Sequence, residues 1–321
     1  MKKVSVLGCG RWGTCIAWYC NYIGKEVKLW GRDFSNNFKN LNNKRENQYL
    51  QLPENLQMTS SLSEALEHGD YIIISISSQQ LRNFAQELSH YDLQNKIFIL
   101  CMKGIESSTG NRLTQVLKQE LGAQIKAAVW VGPGHVQSLV KGIPTCMVIS
   151  SEDFFLAKSL VQNLNSQLIR FYYSEDLIGN EVGAAAKNVI GIAAGMLDGF
   201  GYQSLKGALM ARGASEISSL IYAMGGEKLT AYGLSHLGDY EATLFSEYSH
   251  NRKFGELLMQ GEKFTKLAEG AETVKALMVL AEKYQAELPI SRAVYEIIYE
   301  NADAKKTLLA LFMRPIKKEF Q

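Results

Sequence analysis

Cysteine is missing from the second half of this 321-residue chain. The five that occur are Cys9, Cys15, Cys20, Cys101 and Cys146, and no two form a C-x-x-C pair. That excludes a disulfide framework and a zinc knuckle, and predicts reduced thiols that fill core space. No apolar run approaches the roughly 18 residues of a membrane span, so membrane insertion is not expected. An imbalance of charge is missing too. Thirty-four Lys and Arg stand against 32 Asp and Glu, a formal net charge of +2, which implies no broad basic surface for nucleic acid. Repeats and low-complexity tracts are absent; the nearest is the Asn-rich stretch from Asn36 to Asn47, read as a polar helix or loop. After Met1-Lys2-Lys3 comes a short strand that breaks at Gly8, not the apolar region of a signal peptide. The expectation is a cytoplasmic protein with enough apolar residues, 46%, for two sizeable cores.

The two halves differ in hydrophobic period. Short, near-continuously apolar runs, rich in β-branched and aromatic residues, occur at Val4–Leu7, Val27–Trp30, Tyr71–Ile76, Ile97–Cys101, Ala127–Val131, Thr145–Ile149 and Ile169–Tyr173. Such runs suit strands buried on both faces. Because they alternate with helical stretches, the first half reads as an α/β, doubly wound sheet. Near Asp176 the pattern changes. From Leu177 to Gln321 there is no convincing strand, while Lys206–Met224, Glu272–Tyr284 and Ile290–Tyr299 carry apolar residues at helical spacing, punctuated by Gly225-Gly226 and Pro289. An N-terminal sheet domain, residues 1–175, followed by an all-helical domain, residues 176–321, is therefore predicted. The active site is expected in the cleft between them, where ligand pockets commonly form.

The first strand runs into Gly8-Cys9-Gly10-Arg11-Trp12-Gly13, with a helix expected from about Thr14. G-x-G-x-x-G placed between a first strand and a first helix is the dinucleotide-binding fingerprint. The first glycine makes the tight turn, the second admits the pyrophosphate, and the third lets the helix pack on the sheet. The second strand ends Leu29-Trp30-Gly31-Arg32-Asp33, with no acid at its tip. Arg32 there can receive a 2′-phosphate by charge-assisted hydrogen bonds, which favours NADPH/NADP, while Asp33 keeps NADH/NAD open. In the second half, Lys187 and Asn188 are the only polar side chains between Val182 and Leu197. A lysine in such company is paired or performs chemistry.

With these features in place, the chain resembles the bacterial-type NAD(P)-dependent glycerol-3-phosphate dehydrogenase family over nearly its whole length. The resemblance is carried by Gly8-x-Gly10-x-Trp12-Gly13-Thr14; by Ser77-Ser78-Gln79-x-Leu81-Arg82, with Ser77 where the family has proline; and by Lys103-Gly104-Ile105-Glu106. Gly132-Pro133-Gly134-His135, a helix ending Ala186-Lys187-Asn188-Val189, Arg212-Gly213, Gly238-Asp239 and Glu269-Gly270 continue it in the family's order. The resemblance implies a Rossmann-type first domain, hydride transfer between NAD(P)H and dihydroxyacetone phosphate or glycerol 3-phosphate, a supply of product to glycerophospholipid synthesis, and a homodimer without a metal. It implies Lys187 as catalytic acid/base. Lys103, Gly132, Gly134, Asp239, Ser249, His250 and Asn251 become substrate contacts. Gly8, Gly10, Arg11, Trp12, Gly13, Arg32, Lys103, Val136, Leu267 and Glu269 become cofactor contacts. The chemistry agrees: a lysine near a second cation has its ammonium form disfavoured, and burial among alanines adds to this.

Two departures fall in the substrate site. The family's S-R-N loop reads Ser249-His250-Asn251, and its G-P-S/T pattern has Gly134 at the hydroxyl position. Three other readings stay open on the sequence. One is a relative acting on a different phosphorylated or anionic hydroxy compound, and another is a dinucleotide sensor on a retired enzyme scaffold. The third is a β-hydroxyacid type dehydrogenase, disfavoured because its lysine and asparagine stand one helical turn apart. Here Gly191 occupies that place and Asn188, being adjacent, points about 100° away.

Overall fold

The computed structural model describes residues 2–316, 318 and 319. The chain divides into two compact units, Met1–Met102 with Leu113–Leu177, and Lys103–Arg112 with Ile178–Gln321. The first unit is built on eight strands: β1 Val4–Leu7, β2 Val27–Trp30, β3 Gln57–Thr59, β4 Tyr71–Ile74, β5 Ile97–Leu100, β6 Lys126–Val131, β7 Thr145–Ser150 and β8 Ile169–Ser174. Between them lie α1 Arg11–Tyr22, α2 Asn36–Lys44, α3 Leu62–His68, α4 Leu81–Leu88, α5 Leu113–Leu121, α6 Val136–Val140 and α7 Phe154–Leu164. The sheet order is β3-β2-β1-β4-β5-β6-β7-β8, the doubly wound arrangement expected from alternating elements.

Every residue of β1, β2 and β4 is buried, as strands covered on both faces require. The strand missed by pattern is β3, whose three residues run exposed, half-buried, buried on the flank of β2. The sheet is also not uniformly parallel: β7 runs antiparallel to β6 and parallel to β8. The Asn-rich stretch forms α2, closed by Arg45 in the left-handed conformation. Cys9, Cys15, Cys20 and Cys101 are buried, and none of the five cysteines is in a disulfide.

The second unit is helical: α8 Leu177–Gly199, α9 Lys206–Ala223, α10 His250–Met259, α11 Glu269–Tyr284, α12 Pro289–Tyr299 and α13 Ala304–Ala310. Helix α8 does not end at Asn188-Val189; it runs on to Gly199. Residues 179–197 are all buried, as befits a helix that is apolar on every side and central to its core. Its small residues let a neighbour come to backbone contact. A Cβ on Gly195 would lie 1.8 Å from the Arg252 carbonyl oxygen, and one on Gly255 would lie 2.1 Å from that of Ile192. So α8 and α10 touch through glycines, and this fixes where the start of α10 stands relative to Lys187. Helix α12 is capped from α9: the buried Glu216 carboxylate accepts from the Ile290 amide at 2.7 Å, the Ser291 amide at 3.0 Å and the Ser291 hydroxyl at 2.7 Å. No described helix is long and apolar enough to cross a membrane.

Candidate active site

The dinucleotide fingerprint folds as its glycines require. Gly8 has φ +121°, and a Cβ there would sit 2.1 Å from the Ser75 carbonyl oxygen. A Cβ on Gly13 would sit 2.0 Å from the Gly8 oxygen. Gly10, by contrast, would place its Cβ in open space. Helix α1 starts at Arg11 rather than near Thr14, so Trp12 and Gly13 belong to its first turn, and no side chain caps it at Gly10. Uncapped first-turn amides carry partial positive charge toward that open face. Trp12 Nε1 is buried without a hydrogen-bond partner. Open space at Gly10, free amides and an orphaned donor together fit a bound pyrophosphate.

The other candidates of the first unit are mixed. Arg11 donates to Gln137 at 2.9 Å and stacks over Tyr49. Arg32 donates to Glu87 at 2.7 Å. Gly132 has φ +120° at the end of β6. Gly134 is explained sterically: a Cβ would meet Trp12 Cη2 at 2.6 Å, so the indole fills the space a serine or threonine side chain would enter. The Val136 side chain lies in the first unit's core.

Within the second unit the sequence-predicted residues converge. Lys187, on the buried middle of α8, donates to the Thr243 hydroxyl at 2.6 Å and lies 3.1 Å from Asp239 Oδ2. Lys103 Nζ reaches the same oxygen at 2.6 Å. Asp239 Oδ1 is buried and has no hydrogen-bond partner. Burial is the largest influence on Lys187 and pulls its pKa from 10.5 to about 8; Asp239 opposes this and Lys103 reinforces it. That shift is worth about 3 kcal/mol in favour of the neutral amine. The sequence had suggested the second cation first and burial second; the structure reverses the two.

Thr243 was not foreseen. It sits in a π-helical turn, Glu241–Phe245, and its hydroxyl donates a hydrogen bond to the Asp239 carbonyl oxygen at 2.7 Å. Such wide turns recur at functional sites. The sequence held only one signal, a threonine four residues after Asp239. His236 was also missed. It is buried, its Nδ1 lies 2.8 Å from the Gly183 oxygen and its Nε2 2.6 Å from the Tyr240 hydroxyl. Burial lowers its pKa to about 4, so the ring is neutral, donating through Nδ1 and accepting at Nε2.

A chain of carboxamides ties the remaining pieces to Lys103. The Gly270 amide donates to Asn251 Oδ1 at 2.9 Å, Asn251 Nδ2 to Asn188 Oδ1 at 3.0 Å, and Asn188 Nδ2 to the Lys103 oxygen at 3.0 Å. Asn188 thus has a positioning role that its neighbour Lys187 had overshadowed. Ser249 caps α10 by accepting from the Arg252 amide. His250 is exposed, with Nδ1 3.2 Å from the Leu267 oxygen. Arg252 is committed elsewhere, donating to Asp198 at 2.5 Å and to the Ser246 oxygen at 3.2 Å. Leu267 is exposed, and Glu269 opens α11.

A dinucleotide-binding sheet unit and a helical unit holding a buried, depressed lysine define a pyridine-nucleotide-dependent oxidoreductase. Comparison with known proteins narrows the class. The family models described as the NAD-dependent glycerol-3-phosphate dehydrogenase N-terminus and C-terminus match residues 3–157 and 176–309. A glycerol-3-phosphate dehydrogenase [NAD(P)+] of Clostridium botulinum is 38% identical over 99% of both chains. One of Fusobacterium nucleatum is 35% identical over 100% of this chain and 99% of its own. The crystal structure of the Coxiella burnetii glycerol-3-phosphate dehydrogenase superposes with a TM-score of 0.91 at 27% identity, covering 98% of this chain and 99% of that one. The chain belongs to the NAD-dependent glycerol-3-phosphate dehydrogenase family.

Proposed function

We propose that the protein interconverts dihydroxyacetone phosphate and glycerol 3-phosphate with NADPH as the favoured cofactor, in the cytoplasm and as a homodimer, supplying glycerophospholipid synthesis. The observation that carries the chemistry is the buried Lys187 on Thr243 and Asp239, with Lys103 alongside. A bound dinucleotide supplies or accepts the hydride. Lys187 handles the proton: as ammonium it gives Nζ–H to the oxygen of the forming alcohol, and as amine it takes the hydroxyl proton back. Lys103 places a second positive charge on the same carboxylate and stabilises the developing alkoxide. Asp239 keeps the two ammonium groups together, and its unpartnered Oδ1 has room for one donor. Ser249, His250 and Asn251 gather at the first turn of α10, where backbone amides favour a phosphate. Gly132, Gly134, Leu267 and Glu269 are assigned to substrate and cofactor by their place in the family's motifs.

The purified protein should oxidise NADPH when given dihydroxyacetone phosphate, followed by loss of absorbance of the reduced cofactor. Dinucleotide binding with no turnover above background would point to the second reading, a different anionic substrate, which the replacement of arginine by His250 favours. That replacement has its own test. Arginine is charged at any working pH, whereas histidine loses its charge near neutrality. A hydrogen bond to a charged group is worth about 1.5–3 kcal/mol. His250→Arg should therefore lower KM for dihydroxyacetone phosphate about tenfold at pH 8.5 and much less at pH 6.5. With Arg252 held by Asp198, it cannot stand in for His250 without breaking that pair. Equal KM values for the two proteins at both pH values would remove His250 from the phosphate site.

A further inference from the structure

The guanidinium of Arg32 does not stand free at the tip of β2. Its Nη2 donates to Glu87 Oε2 at 2.7 Å. The group also lies 5.5 Å from the Trp30 ring and 6.0 Å from those of Phe34 and Phe84. Trp30 and Phe84 stack on each other, so the strand tip and α4 form one aromatic floor beneath the ion pair. Both partners face solvent, with side chains 42% and 36% exposed. The pair is therefore not holding the fold together: exposed ion pairs contribute about 0–1 kcal/mol. Among the described residues, Nε and Nη1 of Arg32 make no hydrogen bond.

We propose that Glu87 is a specificity-determining residue for the dinucleotide: its carboxylate competes with a 2′-phosphate for Arg32 and keeps the site open to NAD as well as NADP. The inference rests on the reading of Arg32 as the 2′-phosphate receptor. A 2′-phosphate brings nearly two negative charges to a guanidinium that already carries a carboxylate. Its gain from Arg32 is offset by repulsion from Glu87 and by loss of the existing bond. A 2′-hydroxyl carries no charge and meets no such opposition. An arginine without the acid would bias the site toward NADP; an acid without the arginine would bias it toward NAD. The two together leave a shallow preference, which agrees with the NAD(P)+ in the names of the relatives.

The test is a set of dissociation constants for NADP+ and NAD+, measured by titration calorimetry on the intact protein without substrate. Glu87→Gln removes the charge and keeps the shape. It should tighten NADP+ about three- to fivefold, the scale of one exposed charge pair, and leave NAD+ unchanged. Glu87→Lys should widen the ratio further, in the same direction. In an Arg32→Ala background, which itself weakens NADP+ selectively, Glu87→Gln should lose its advantage. Weaker NADP+ binding in Glu87→Gln would make the acid a positioner of Arg32 and overturn the proposal, as would an equal change for both dinucleotides or none. If Arg32→Ala affects both dinucleotides equally, the 2′-phosphate reading of Arg32 falls and the proposal with it. If Arg32→Ala is selective but neither Glu87 variant moves the ratio, only the proposal falls.

Discussion

Lys187→Ala should lower turnover of dihydroxyacetone phosphate by about 10²–10⁴-fold, the usual worth of a positioned acid/base. Without its ammonium, the forming alkoxide must find its proton in water, and the Thr243 hydroxyl loses the donor that it accepts from at 2.6 Å. The fold should survive, because Asp239 retains Lys103 at 2.6 Å and is not left as an unpaired buried charge. Affinity for NADP+ should stay within about twofold, since Lys187 belongs to the helical unit and the dinucleotide fingerprint to the sheet unit. Turnover and calorimetric affinity on the same preparation separate the two effects. A variant within threefold of wild type in kcat would take Lys187 out of the reaction.

Asp239→Asn should be damaging for a different reason. The carboxylate is 1% exposed and is the shared counter-charge of Lys103 and Lys187. Removing one partner of a buried ion pair costs about 3–5 kcal/mol because a charge is left uncompensated in a poor dielectric. Lys187 has an escape: it can shed its proton. Asp239 is the leading influence that holds its pKa up against burial, so the variant's Lys187 should titrate below about 8. At neutral pH the amine would then dominate and ketone reduction would fall about 10²-fold or more, while part of the loss returns at lower pH. A urea titration should show a lowered midpoint. An unchanged pH profile in Asp239→Asn would mean that the carboxylate does not govern the proton on Lys187.

How much of this could be read beforehand depended on whether a feature was local in the chain. The strands around Val6, Leu29 and Ile73 announced themselves because burial on both faces demands unbroken apolar runs. β3 did not, since only Thr59 of its three residues is buried. Lys187 was conspicuous as a cation in an apolar, small-residue helix. The length of α8 was not, because glycines that look like helix ends serve here for backbone contact with α10. Thr243 escaped notice because a π-helical turn has no hydrophobic period to betray it. Glu87 lies 55 residues from Arg32, and no local pattern specifies such a pairing. The same holds for the carboxamide chain from Gly270 to Lys103, which joins segments up to 85 residues apart in a single hydrogen bond.

In the proposed mechanism, burial lowers the Lys187 pKa to about 8 and this group carries the reaction's proton. Lys187 must be charged to reduce the ketone and neutral to oxidise the alcohol. The measurement is kcat against pH in both directions at saturating cofactor and substrate, which sets aside any effect of His250 on KM, between about pH 6.5 and 11, above the second ionisation of the substrate phosphate near pH 6. Ketone reduction should be flat below about 8 and fall tenfold per unit above it; alcohol oxidation should rise tenfold per unit to about 8 and then level off. Profiles that break in both directions at the ordinary lysine value near 10.5, or that show no break at all, would remove a buried Lys187 from the proton step.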